Sequence, residues 1–305
     1  MARKVLLLTF YTLLCISLSF TGCSRDAEKV SLKEVETIAE STTDNTGMKI
    51  VVSAIISPKK TLIYYRAVLD YIANELGTDV ELIQRETYAE ANDLVRSNEV
   101  TAAFVCSGAY IDGHKEFGME LLLAPKAYGN PFYYSYIIVP ADSASKKLED
   151  LRGKRFAFTD PMSNTGKLSP TYILAGMGET PQSFFSSVTF TYSHDKSIEA
   201  VAQNLVDGAA VDSLIWDYAN ATEPEFTSRT RILHKSPPYG IPPVVVPKEL
   251  DPEIKDRLRD VLINMHKNDK GKSILDKIKI DRFIDIEDNA YDSIREMRRF
   301  VNEQS

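Results

Sequence analysis

From residue 48 onward, apolar residues along the chain take turns between two spacings. Segment 49–56 (KIVVSAII) is β-branched and bounded by Ser57-Pro58, which predicts a buried strand. In 61–76, Leu62, Tyr65, Val68, Leu69, Ile72 and Leu76 recur with a helical period that stops at Gly77. The alternation continues with a strand at 79–84, a helix at 88–97 and a strand at 101–106. Further strands are predicted at 121–125 and 132–140. It then restarts: a short helix at 148–153, a strand at 155–159, a helix from Ser163, a strand at 187–191, a helix at 197–205, a strand at 208–211 and a helix at 214–221. Residues 241–247 read as extended chain, and 252–267, 271–278 and 289–301 as helices. Such alternation implies parallel strands with crossover helices.

The economical layout is α/β: two Rossmann-like lobes joined by a two-strand hinge, with crossings near 138–141 and 237–245. The first lobe takes 48–139 plus 243–305 and the second 140–242. A ligand then belongs in the cleft, where strand ends and helix N-termini converge. Both crossings are extended, so closure is expected to be a hinge motion at those two places.

The first 47 residues do not share this pattern. Arg3 and Lys4 precede an uncharged run, 5–20, too short for a spanning helix and suited to a secretory signal. The ending Thr21-Gly22-Cys23 resembles a bacterial lipobox, with Phe20 where Leu is usual. That resemblance implies a signal peptide at 1–22, cleavage before Cys23 and lipid on Cys23, hence an extracytoplasmic, membrane-anchored lipoprotein. After Cys23, the charged, aromatic-free stretch to residue 47 is a flexible tether.

Composition narrows the function classes. With 36 basic against 43 acidic residues, a net charge of −7 and no basic stripe, nucleic acid is not a partner. Three cysteines exclude a disulfide scaffold, and four unclustered histidines give no metal site. No cofactor is implied.

Candidate chemistry lies where strands end and helices begin. In Asp160-Pro161-Met162-Ser163-Asn164-Thr165-Gly166, free backbone N–H groups and a helix dipole make an anion site, to which Ser163, Asn164 and Thr165 add donors and Gly166 close approach. Ordinary N-capping by Ser163 or Asn164 explains the same residues. His194 could donate to an anion or simply cap its helix. Asp212, ending a strand, could accept the hydrogen of a P–OH group and reject fully ionised anions such as sulfate, or cap the helix that follows. From the first lobe, Ser107-Gly108 repeats the strand–hydroxyl–glycine–helix pattern, and Tyr133 could add a phenolic donor. Cys106 reads as core.

Taken in order, CSGAY, YYSYIIVP, DPMSNTG, SHDKSIEAV and VDGAAVDS resemble the phosphate/phosphite/phosphonate-binding proteins of ABC transporters, the PhnD-like family, over roughly residues 49–280. The resemblance implies a type II periplasmic-binding-protein fold closing on a phosphorus oxyanion, no catalysis, a membrane permease and the bilayer as partners, and a monomer. It places the family's phosphate-gripping loop on Ser163–Gly166, where Asn164 departs from the usual Ser-Thr-Ser-Gly, its histidine on His194, its aspartate on Asp212 and its hinge tyrosine on Tyr133. Ser107 matches by position. Members that take aminoalkylphosphonates carry an extra carboxylate where this chain has Leu214, so a small uncharged tail is expected to bind better than 2-aminoethylphosphonate.

Two other classes compete. Ser163, His194 and Asp212 are the residue types of a hydrolase triad, but no G-x-S-x-G elbow is present. A sensory lipoprotein signalling to a membrane kinase would use the same clamp.

Overall fold

The computed structural model describes residues 47–304, so the expected signal peptide, Cys23 and tether lie outside the described residues, apart from residue 47. The first strand β1 (Met48–Val52) leads into α1 (Pro58–Leu76), β2 (Val80–Gln84), α2 (Tyr88–Arg96), β3 (Ala102–Phe104) and α3 (Ser107–Phe117). Then follow β4 (Glu120–Ala127), β5 (Phe132–Tyr133), β6 (Ser135–Pro140), β7 (Arg155–Phe158), α4 (Ser169–Gly176), α5 (Pro181–Phe184), β8 (Ser187–Phe190), α6 (His194–Ala202), β9 (Gly208–Asp212) and α7 (Ser213–Thr222). The chain closes with β10 (Thr230–Lys235), β11 (Tyr239–Gly240), β12 (Val244–Val246), α8 (Pro252–Asn264), α9 (Asp269–Lys277), β13 (Ile280–Ile284) and α10 (Asp292–Glu303).

One sheet runs β13-β4-β12-β3-β1-β2 and a second β10-β6-β9-β7-β8. Side chains alternate across a strand, and here both faces are covered. Val51 enters one core cluster while Ile50 and Val52 enter another. In the second sheet Ile137 and Val139 face one cluster, Tyr136 and Ile138 the other. Each fully buried aliphatic contributes about 1.5–3 kcal/mol relative to exposure, which is what holds these double-sided sheets.

Helix boundaries follow local chemistry. Pro58 occupies the first turn of α1, and Gly77 ends it in the left-handed region at φ 63°, its N–H bonded to the Ala73 carbonyl. Thr87 and Glu90 form a capping box at the start of α2.

Several expectations need correction. The sheets are mixed: β1, β2 and β3 are parallel, whereas β12 is antiparallel to both β3 and β4, and β13 to β4. The first strand stops at Val52, and residues 53–56 form a buried loop. The 132–140 strand is two strands, because Tyr134 leaves the ladder between them. This moves the first crossing. Residues 138–140 lie deep in the second sheet, with Ile137 and Ile138 paired to Ala210 and Ala209, so neither a hinge at 138–141 nor a lobe boundary after residue 139 fits. The crossings are instead β5 and β11, which pair with each other as Tyr133↔Tyr239 and Phe132↔Gly240. The short β13 and α5 were not anticipated.

The two lobes are in contact on both sides of the cleft. Ser57 donates from its backbone N and its Oγ to Asp195, at 2.9 and 2.6 Å, and the Tyr64 and Tyr218 rings meet edge to face at 5.0 Å. Elsewhere α10 buries Ile294 and Met297 in the core that contains β1 and α3 residues and rests Phe300 against Tyr172 of α4, 5.2 Å between ring centres.

Candidate functional site

The helix predicted from Ser163 begins as a π-turn, Asn164–Leu168, before α4. Ser163 caps this turn, its Oγ accepting from the Gly166 N–H at 2.9 Å, so the capping role is real. Pro170 falls in the first turn of α4, where its missing donor is harmless. The turn is pressed against its surroundings. A Cβ on Gly166 would lie 2.4 Å from Thr159 Oγ1, so only glycine fits here without displacing Thr159.

The α6 helix begins three residues earlier than predicted, placing His194 in its first turn with its N–H bonded to the Ile55 carbonyl of the other lobe at 3.0 Å. The imidazole is buried. Its Nδ1 accepts from the Asp212 N–H at 3.0 Å, with Thr159 Oγ1 also 3.0 Å away. Burial pushes the ring down to about 3, so it is neutral and its single hydrogen sits on Nε2, which faces the Tyr88 hydroxyl at 3.5 Å. Asp212 Oδ1 accepts from the Leu214 N–H at 2.7 Å, the capping geometry, and burial pushes its carboxyl up to about 7.

The first lobe supplies the facing wall. Ser107 opens α3, but its hydroxyl donates to the Gly240 carbonyl at 2.7 Å, so its side chain ties α3 to the crossing strand. Gly108 lies directly against the second lobe. Tyr133 accepts from Asn164 Nδ2 at 3.1 Å, and the Asn164 N–H points to Cys106 Sγ at 3.5 Å. Burial raises the Cys106 thiol and, far more, the Tyr88 and Tyr133 phenols, so all three keep their hydrogens.

All nine sequence-predicted residues lie buried in the region where the lobes meet. Two of their polar atoms, Asn164 Oδ1 and Thr165 Oγ1, have no protein partner. Unpaired buried polar atoms cost free energy unless something meets them. The starts of α3, α6, α7 and the 164–168 turn all come to this place, and none of the groups named is a cation. An anion held here would be held by N–H and O–H donors and helix dipoles.

The triad relation is not made. Ser163 Oγ is engaged by Gly166, and the imidazole meets the Asp212 backbone rather than its carboxylate.

Three residues were missed. Tyr88 and Thr159 bracket His194, and Asp160 accepts from the Tyr88 N–H across the lobes at 3.1 Å and from the Met162 N–H at 2.8 Å. A usable signal existed: Tyr88 follows a strand and the capping Thr87, at the same sheet edge as Ser107.

Residues 50–291 match the family described as ABC transporter, phosphonate, periplasmic substrate-binding protein. The phosphonates-binding periplasmic protein of Escherichia coli K12 is 28% identical over 215 residues, 69% of this chain and 63% of that protein, so the match spans under two thirds of its length. A binding protein component of an ABC phosphonate transporter from Pseudomonas aeruginosa superposes with a TM-score of 0.80 at 24% identity, over 84% of this chain and 87% of that one. PhnD1 of Prochlorococcus marinus, solved with methylphosphonate, gives 0.76 at 20% identity over 84% and 98%. These likenesses support the two-lobe type II fold.

Proposed function

Since this chain belongs to the family of phosphonate-type periplasmic substrate-binding proteins of ABC transporters, we propose that it captures a small phosphorus oxyanion between its lobes and delivers it to a membrane permease, tethered to the bilayer by lipid on Cys23. The observation that carries this reading is the buried meeting of helix N-termini with the unpartnered Thr165 hydroxyl, a donor free to meet an oxyanion. The 163–166 turn, the start of α3, His194 Nε2–H and the Tyr88 and Tyr133 hydroxyls face the oxygens. Asp212 takes the remaining proton. Below about 7 it carries that proton itself, and above, the ligand must bring it. Sulfate offers no proton and is excluded increasingly as pH rises. The lobes in this reading are 48 to about 134 with about 237–305, and the segment between.

Titration calorimetry with phosphite, phosphate, methylphosphonate, 2-aminoethylphosphonate and sulfate tests it. Binding of at least one phosphorus oxyanion with sulfate far weaker is expected. No binding to any phosphorus oxyanion overturns the assignment.

A further inference from the structure

Among the described residues, the buried hydroxyls without a protein partner are those of Ser53, Thr165, Ser193 and Thr227. The last three belong to the second lobe. Ser53 belongs to the first, is fully buried and follows β1 at the carboxyl edge of its sheet.

The direction of its side chain follows from the ladder. Pairing of β1 with β3 ends at Val52↔Phe104. The Ser53 N–H still donates to the Phe104 carbonyl at 3.0 Å, so the backbone keeps its extended course for one more residue. Side chains alternate along such a strand. Ile50 and Val52 enter one core cluster, whereas Val51 enters the cluster that holds Tyr88, Cys106 and Tyr133. Ser53 therefore points the way Val51 does, to the face covered by α2 and α3. In the sheet order β3-β1-β2 it stands between Tyr88, which follows β2, and Ser107, which follows β3. Two residues on, the Ile55 carbonyl takes the His194 N–H from the other lobe at 3.0 Å, which holds this loop against the second lobe's donors.

The first lobe lacks a serine donor otherwise placed for a ligand, since Ser107 commits its hydroxyl to the Gly240 carbonyl. A buried O–H with nothing to meet costs free energy, and an oxyanion is a strong acceptor. We propose that Ser53 is a binding residue whose hydroxyl donates to an oxygen of the captured phosphorus oxyanion, in the part that the sequence pattern gave to Ser107. This deepens the reading above and rests on it.

The test is Ser53→Ala beside the wild-type protein, titrated calorimetrically with phosphite, phosphate, methylphosphonate and 2-aminoethylphosphonate. For each of these that the wild type binds, the variant is expected to bind at least about tenfold more weakly, the worth of a hydrogen bond to a charged group. The ligand-free melting temperature should hold or rise, because only an unpartnered hydroxyl has been removed. Wild-type affinity in the variant overturns the assignment and leaves the hydroxyl to an ordered water. Weaker binding together with a lower melting temperature overturns it as well, since that marks a packing role. In both cases wild-type binding keeps oxyanion capture standing. If the wild type binds none of the four, both readings fall together.

Discussion

With the lobes together as described, Asp212→Asn is expected to raise the protein's stability at about pH 8, by up to about 4 kcal/mol. Asp212 is buried, and its carboxyl titrates at about 7 against 3.8 in an ordinary setting. A folded-state value above the unfolded one means that its stabilising contribution is complete below about 4 and is lost as pH rises to about 7. His194 has the opposite sign. Its value falls from 6.5 to about 3, so its contribution is present above 6.5 and lost as pH falls toward 3. Between about pH 4 and 6.5 the two oppose each other, and the wild-type protein gains or loses little from this pair. Asparagine keeps an oxygen for the Leu214 N–H and removes the charge. The stability gap between variant and wild type should therefore narrow to about 2 kcal/mol near pH 5. Urea midpoints at the two pH values measure this, and a gap independent of pH would contradict the burial of an uncompensated carboxyl. The same change should weaken selection, because an amide cannot take the ligand's proton and no longer repels sulfate.

Gly108→Ala should do the reverse, leaving folding intact and abolishing capture. Gly108 sits in the first turn of α3, where alanine is tolerated and helix propensity favours it by up to about 1 kcal/mol. In the closed arrangement, however, a Cβ there would lie 2.3 Å from the Met162 carbonyl oxygen and 2.9 Å from the Asn164 nitrogen. Both are backbone atoms of the opposite lobe, so no side chain can swing aside. The lobes would have to stop short by a large fraction of an ångström, separating Tyr133 from Asn164. We expect at least about a 100-fold loss of affinity, about 3 kcal/mol, with an unchanged or slightly higher melting temperature. Wild-type affinity in this variant would mean that the ligand is held without the closure described here.

Much of the site was legible because it consists of small polar residues at strand ends. Asp212 interrupts an apolar run, and Ser163–Gly166 and His194 lie in polar stretches that follow strands, so each is conspicuous at the carboxyl edge of a sheet. Tyr88 and Thr159 were hidden for the opposite reason, since an aromatic opening an amphipathic helix and a threonine closing a strand look like ordinary core. Whether Ser107 offers its hydroxyl to a ligand depended on Gly240, 133 positions away. No local pattern carries that information. The crossing was misplaced because residues 132–140 form one continuous β-like run, and only pairing with β9 separates the hinge from the sheet. The β13 strand, IDRFI, is short and carries two charges, which masks its register against β4.

The aromatic contacts between the lobes, Tyr64 on Tyr218 and Phe300 on Tyr172, have a thermodynamic consequence. If capture closes the lobes as proposed, it dries these rings whatever the ligand. Drying apolar surface lowers heat capacity, so the heat-capacity change of binding should be strongly negative and set mainly by the protein's own surfaces. Phosphite, which has no tail to bury, should then show nearly as large a change as methylphosphonate when titrations are run at several temperatures. A value near zero for phosphite would mean that the lobes are already together before the anion arrives.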